Sequence, residues 1–184
     1  MTMKKYNILI FLFSILHPQN TISDDIISFI DSLNNKTMIL SVDSSEYDTK
    51  LSISDDKIYF DTFSTNNDIV TIEGSEIKTY DFDSQVIIIE SADETFLDIF
   101  YKQGLLKYKI TNIDIKDSLS LVTYNLDSRA LVIEFHNTLK QIVSIEIQDE
   151  DISLLNAKVI DIISFDMPFL ANDFASWQTL DWRD

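Results

Sequence analysis

Residues 50–89 read KLSISDDKIYFDTFSTNNDIVTIEGSEIKTYDFDSQVIII. This stretch contains short runs of β-branched and aromatic residues separated by Asp, Asn, Ser and Gly, the residue types that favour tight turns. Within one run, the apolar Ile58 and Phe60 would lie on one face of a strand, with the polar Asp61 on the other. The stretch therefore predicts consecutive antiparallel strands joined by tight turns.

The same rhythm continues on both sides of this stretch and predicts eleven strands in all. Turn residues recur about every 8–12 residues, which is typical of an antiparallel sandwich or barrel. Strands do not alternate with helices, so a parallel sheet is not expected. The predicted strands are residues 37–43, 49–54, 57–64, 68–73, 76–81, 85–91, 105–115, 118–126, 130–137, 141–148 and 157–166.

The predicted strands have two unlike faces. In the ninth strand, Leu131, Ile133 and Phe135 share one face. Val132, Glu134 and His136 share the opposite face, which is mixed in character. One apolar face and one mixed face are what a sheet wrapped around an interior requires. Alternation alone does not tell whether that interior is filled by side chains or open to a ligand.

Three short segments have helical patterns. Residues 25–34 form an amphipathic helix that Asp24 or Asp25 can cap. A second helix precedes Gly104, which we expect to cap its C-terminus. Residues 171–177 are a further helical candidate.

Composition excludes several classes of protein. The chain has 184 residues, 31 acidic and 14 basic, with a formal net charge of −17. Phosphate backbones would repel such a chain, so we expect no nucleic-acid binding, and the same charge favours a monomer. The absence of cysteine excludes disulfides, thiolate metal sites and a cysteine-linked lipid anchor. With only two glycines, no phosphate-cradling loop is expected.

The inventory of reactive side chains argues against an enzyme. His136 is the one histidine beyond residue 23, and no zinc-ligand spacing surrounds it. The acidic run 149–151 lacks the glycine and the bidentate Glu of a calcium loop. No nucleophile-elbow motif is present. We therefore expect no catalytic residue, no metal and no cofactor.

The first 23 residues have the pattern of an export signal. Two lysines precede residues 6–16, an apolar run that is too short to span a bilayer as a helix. Thr21 and Ser23 are small residues at the spacing that a signal peptidase needs, which predicts cleavage between Ser23 and Asp24. We expect residues 1–23 to be a signal peptide and residues 24–184 to be a single exported domain.

Residues 50–89 also resemble the central signature of LolA-type outer-membrane lipoprotein carrier proteins. Residues 69–74, IVTIEG, fit the family's "ivsDG" strand end, and residues 80–86, YDFDSQV, fit its "YDpdxxQV" segment with one residue fewer. The later stretch ALVIEFHNTLKQIVSIEIQDED, residues 130–151, is similar to the family's "l.i.F.....l..i...D" region. Together the similar segments extend over most of residues 25–166.

The resemblance implies a fold and a function. The fold would be mainly β with a few short helices, an incomplete antiparallel barrel whose helices cover an apolar cavity. The protein would be a periplasmic carrier that binds the acyl chains of lipoproteins and moves them from the inner to the outer membrane. Its partners would be a lipoprotein-releasing ABC transporter in the inner membrane and an acceptor in the outer membrane.

Two departures from the family pattern concern cations. Asp55 and Asp56 stand where the family has its Arg-Pro turn, and Tyr59 stands where it has the Arg of an F-R-W-like strand. In family members the Arg of the Arg-Pro turn is linked to lid closure and to transfer of the cargo. A carboxylate cannot make the same donor contacts, so the resemblance leaves handover to the usual receptor in question.

Strand parity and the helical patterns predict which side chains would contact a lipid. The set contains only apolar residues, and each of them could equally be an ordinary core residue. The predicted lipid-binding residues are Phe29, Ile30, Met38, Leu40, Leu51, Ile53, Ile58, Phe60, Val70, Ile72, Phe96, Phe100, Leu131, Ile133 and Phe135.

Three other functions stay open on the sequence. A LolA-fold sensor or binding module would grip a different lipid or a partner protein without transferring lipoproteins. A lipid hydrolase would use His136. A purely structural β-protein would have a filled interior.

Overall fold

The computed structural model of the chain is built on one open sheet of twelve strands, and the protein is mainly β. The structure describes residues 21–43, 48–55, 57–61, 67–91, 96–167 and 173–183. The strands are β1 (Lys36–Val42), β2 (Asp48–Ser54), β3 (Lys57–Asp61), β4 (Asp68–Glu73), β5 (Glu76–Asp81), β6 (Val86–Ser91), β7 (Lys109–Lys116), β8 (Leu119–Leu126), β9 (Arg129–His136), β10 (Gln141–Asp149), β11 (Ile152–Ser164) and β12 (Gln178–Asp181).

The strand order across the sheet is β12-β6-β5-β4-β3-β2-β1-β11-β10-β9-β8-β7. Strands β1 to β6 and strands β7 to β11 each form a run of successive hairpins. The antiparallel pair of β1 with β11 joins the two runs. The short strand β12 pairs with β6 in parallel, and this pair corrects the expectation of a purely antiparallel sheet.

The eleven predicted strands are all present, and β12 is an unpredicted twelfth. Strand β11 begins at Ile152, five residues before the predicted start at 157. Strand β7 begins at Lys109 rather than at 105, because Leu105 belongs to a helix. The predicted boundaries thus differ most at the N-terminal ends of β7 and β11.

Residues with left-handed backbone form the turns, although the chain is poor in glycine. Asn35, Asp55, Asn67 and Asp127 have φ between 48° and 59°, and Gly74 has φ of 60°. Asn and Asp tolerate this conformation because their short side chains bond to nearby backbone groups. All five positions belong to turns that the sequence predicted. Four further non-glycine residues adopt positive φ: Gln85, Asp117, Lys140 and Glu150.

The helical elements are short, and they differ from the prediction. Helix α1 covers residues 21–31, a 3₁₀ helix covers Phe96–Phe100, and helix α2 covers Lys102–Leu105. Residues 173–177 contain no helix, and the rest of the predicted tail helix lies outside the described residues. In the described part of the chain, no helix is long and apolar enough to cross a membrane.

Helix α1 already includes residue 21, so the prediction that Asp24 or Asp25 caps its start is wrong. The predicted cleavage point after Ser23 therefore falls within the first turns of α1. Residues 1–20, which make up most of the predicted signal peptide, lie outside the described residues.

Gly104 has a different role from the predicted C-cap. It lies inside α2 and is buried, and a Cβ at this position would be 1.9 Å from the backbone oxygen of Asp98. Glycine is needed here because the 3₁₀ helix and α2 approach each other backbone to backbone.

One hydrophobic cluster joins the helices to the sheet. It contains side chains of α1, of the 3₁₀ helix, of α2 and of strands in both runs. The Phe29 ring of α1 meets the Phe135 ring of β9 edge to face, with 6.5 Å between the ring centroids. We call the face of the sheet that carries this cluster the core face, and the other the opposite face.

The opposite face carries a second, smaller cluster that the sequence did not indicate. Phe165, directly after β11, lies edge to face on Tyr59 with 5.6 Å between ring centroids. The Phe174 ring packs on Tyr80 at a tilt of 50° with 4.9 Å between centroids, and the Trp177 ring meets Phe82 edge to face at 5.0 Å. These aromatic contacts secure the C-terminal segment before it adds β12 to the edge of β6.

Candidate functional site

The predicted lipid-binding residues come together on the core face. Fourteen of the fifteen belong to the main hydrophobic cluster or pack against it. Phe60 and Val70 are half-buried, and the side chain of Phe96 lies outside the described residues. The buried members are Phe29, Ile30, Met38, Leu40, Leu51, Ile53, Ile58, Ile72, Phe100, Leu131, Ile133 and Phe135.

The central part of this face is closed by protein. Leu40, Leu51, Ile58, Leu131 and Phe135 are each 0% exposed. Side chains with no exposure are in contact with other protein atoms on all sides. Side chains of helix α1, of the 3₁₀ helix and of α2 belong to the same cluster as these residues. We call this part of the core face the covered part.

The core face continues beyond the covered part with side chains that stay half-exposed, and all of them except Thr79 are apolar. The pairing register sets Leu51, Phe60, Val70, Thr79 and Ile88 side by side across five strands. Leu51 is fully buried, whereas the other four are partly exposed. We call this row, from Phe60 to Ile88, the open part of the core face.

Strands β5 and β6 show the same change. Each of the six residues of β5 is half-buried, and so are residues 86–90 of β6. The sequence did not assign Ile88 to the site, because residues 86–89 of β6, VIII, are apolar without alternation and leave the faces of the strand undefined. Ile77 of β5 was not assigned either. The register through the turn at residues 82–85 supplies that information.

Polar side chains stand at one end of the core face. Arg129 begins β9 on the same face as Leu131, and its side chain is 16% exposed. Its Nη2 is 3.7 Å from Asp149 Oδ2, and its buried Nε donates no hydrogen bond to a described residue. Burial lowers the pKa of Arg129, but the neighbouring Tyr108 hydroxyl and the charges of Asp149 and Asp98 outweigh burial and raise it.

Tyr124 brings a second buried polar group to this face. It is 2% exposed, and burial raises the pKa of its phenol to about 12. Ser23 on α1 lowers that pKa in part, but no hydrogen bond of normal geometry joins the two hydroxyls. The neutral form of Tyr124 is therefore the one that the folded chain favours.

The positions at which the family has cations lie away from the core face. Asp55 is an exposed turn residue with φ of 48°. Tyr59 points to the opposite face, where it packs on Phe165, and burial raises its pKa. Asp56 lies outside the described residues.

His136 has a local contact in the turn that follows β9. Its Nδ1 accepts a hydrogen bond from the backbone N–H of Leu139 at 3.2 Å, which orients the ring toward the turn. Among the described residues, no group of three or more His, Asp or Glu side chains could hold a metal ion.

Comparison with known proteins yields a fold and no function. No family model matches the chain, and no curated protein matches it significantly. Among solved structures it is similar to an uncharacterized conserved protein from Thermus thermophilus, with a TM-score of 0.54 and 10% identity. The match covers 89% of this chain and 98% of that one. At this level of identity the two proteins share a fold, and nothing further follows.

Proposed function

We propose that the protein is a periplasmic carrier that binds the acyl chains of lipoproteins against the core face. The observation that carries the proposal is the row of side chains from the fully buried Leu51 to the half-exposed Ile88, in which Thr79 is the one polar member. A ligand of low polarity can contact the open part without displacing the cover. It can then extend toward the covered part along the same row.

The energetics explain why an acyl chain would use such a surface. A chain of about 16 carbons exposed to water costs on the order of 12 kcal/mol, at about 0.8 kcal/mol per methylene. A lipoprotein carries several chains, so it cannot cross an aqueous compartment unshielded. An apolar sheet face removes those chains from water without a cofactor or a catalytic group.

Under this proposal the sheet curves as an incomplete barrel, and the helices cover an apolar cavity. The covered part is closed when no ligand is bound, so loading requires that the helical cover moves away. The cover includes helical segments of only five and four residues, Phe96–Phe100 and Lys102–Leu105. Segments this short have little helical stability of their own, so the free-energy cost of displacing them comes mainly from the packing contacts that are lost.

Export and partners belong to the same proposal. Residues 1–23 would direct the chain to the periplasm, with cleavage between Ser23 and Asp24. Cleavage there would remove Ile22, a buried member of the main cluster, and would loosen the start of α1. An ABC transporter of the inner membrane would load the carrier, and an acceptor in the outer membrane would take the cargo.

Native mass spectrometry of the protein isolated from cell envelopes would test the proposal. We expect mass additions that correspond to lipoproteins. A free lipid alone, or no addition, would contradict the carrier function. A free lipid would instead favour a LolA-fold binding module that does not transfer lipoproteins, an interpretation consistent with Asp55 and Tyr59 at the family's cation positions.

A further inference from the structure

The C-terminal strand β12 carries the core-face row one strand further. Leu180 pairs in parallel with Ile88, the last residue of the open part. Trp182 directly follows β12, and its N–H donates to the backbone oxygen of Ile89 at 2.8 Å. The N–H of Gln178 donates to the residue before β6 at 3.2 Å, so one ladder includes both residues. Alternate residues of a strand share a face, so Leu180 and Trp182 both belong to the core face.

The contacts that attach β12 to the sheet lie on the opposite face. Asp181 and Arg183 alternate with the core-face residues, and the Arg183 guanidinium pairs with Asp181 and with Glu76 of β5. Before the strand begins, Trp177 packs in the aromatic cluster of the opposite face. Trp182 takes part in none of these contacts, so its indole is not what holds β12 in place.

The indole of Trp182 is open to solvent beside the open part of the core face. It is 58% exposed, and it is the one exposed aromatic among the side chains whose burial the structure describes. Leu180 next to it is half-buried. With the apolar residues of the open part, the two form a patch of the kind that marks a binding surface. Indole rings are favoured in such places, because they combine a large apolar area with one polar N–H.

We propose that Leu180 and Trp182 bind the acyl chain as the outermost part of the surface that begins at Leu51. This inference rests on the proposed function, because an acyl chain that follows the core-face row past β6 meets β12 next. The indole would lie against the methylenes that extend beyond Ile88. Contact would remove from water an apolar area that is exposed in the free protein.

The two tryptophans of the chain provide the test, because they lie on different faces of the sheet. Trp177→Phe leaves Trp182 as the only indole, and Trp182→Phe leaves Trp177. Each variant is titrated with a stearoyl amide that is brominated in the middle of its chain, below its critical micelle concentration. The headgroup is neutral, because Glu90 follows Ile88 on the core face of β6 and would repel a free carboxylate.

Bromine quenches indole fluorescence only at short range. We expect the brominated probe to quench most of the emission of Trp182 and to leave the emission of Trp177 nearly unchanged. The same amide without bromine should bind equally well and quench neither residue. Calorimetry measures the dissociation constants independently of the fluorescence.

Truncation measures how much the indole contributes to binding. Trp182→Ala should weaken binding of the unbrominated amide about threefold to tenfold, because the ring no longer covers the chain. Trp182→Phe should weaken it less, since an aromatic ring remains. Leu121→Ala is the matched control, because Leu121 is 41% exposed and pairs with Glu134 on the opposite face. It removes an exposed apolar side chain elsewhere and should leave binding unchanged.

The other outcomes separate this inference from the proposed function. If the amide binds but bromine leaves Trp182 unquenched, the acyl chain does not reach β12 and the inference is wrong, while acyl binding stands. Equal quenching of both tryptophans, or equal affinities of Trp182→Ala and Leu121→Ala, would also overturn it. If the amide does not bind the wild type, the proposed function fails, and the inference fails with it.

Discussion

Strands β9 and β6 are both rich in aliphatic residues, yet their core-face side chains end in different surroundings. In β9, Leu131 and Ile133 are 0% and 1% exposed beneath the helical cover. In β6, Ile88 stays half-exposed. An apolar strand face thus becomes core only where another element packs on it. Where none does, the same chemistry is an accessible apolar surface.

We expect the largest effect when one isoleucine is truncated to alanine in the covered part and another in the open part of the core face. Ile133→Ala should lower the free energy of unfolding by about 2–5 kcal/mol, because it leaves a cavity under the cover. Ile88→Ala should cost about 1 kcal/mol or less, because solvent fills the vacated space. Chemical denaturation of both variants checks the difference. Equal losses would contradict the division into covered and open parts.

A second substitution tests the packing between the two short helices of the cover. Gly104→Ala would drive a Cβ into the backbone oxygen of Asp98, so α2 and the 3₁₀ helix must separate. We expect a loss of about 2–4 kcal/mol, the size typical of overpacking and backbone strain. Hydrogen exchange should speed up in residues 96–108 more than in β5 and β6. Exchange that rises equally everywhere would show that the cover is not a separate unit.

A smaller effect concerns Tyr124 and alkaline pH. Its folded pKa of about 12 exceeds the unfolded value of 10.0, so the unfolded chain releases this proton first as the pH rises. The stability contribution is complete below pH 10 and is lost between pH 10 and about 12. At pH 11 the loss is about 1 kcal/mol.

Tyr124→Phe removes this titration. Between pH 9 and pH 11 the free energy of unfolding of the wild type should therefore fall relative to that of the variant. Urea denaturation at the two pH values measures the shift. A difference that does not change with pH would mean that Tyr124 titrates as an exposed phenol.

The strands could be predicted because their information is local. Alternation of side chains identifies β8 and β9, and turn residues such as Asn35 and Asp127 mark where strands end. Strand β12 could not be found this way, because its QTLD sequence becomes a strand only by pairing with the distant β6. The division of the core face into covered and open parts could not be predicted from the sequence either, since it depends on where three helical segments pack.

The helical cover illustrates the same limit. A single helix ending at Gly104 was expected from the apolar spacing before it. Instead, the chain breaks at Tyr101 into a 3₁₀ helix and α2, and Gly104 packs on the backbone of Asp98. A close approach between two backbones leaves no periodic trace in the sequence. The glycine itself was the available signal, and it fits a cap and a close contact equally well.

The most direct test of the account uses two neighbouring residues of β6 on opposite faces. Ile88 lies in the core-face row, whereas Ile89 pairs with Lys78 on the opposite face. Binding of a fluorescent palmitoyl probe should weaken by about tenfold or more in Ile88→Asn, because an amide enters the apolar contact surface. Ile89→Asn should change binding by less than about twofold, since it alters the same strand on the other face. If Ile88→Asn binds the probe as the wild type does, or if Ile89→Asn weakens binding equally, the core face is not where the acyl chain binds.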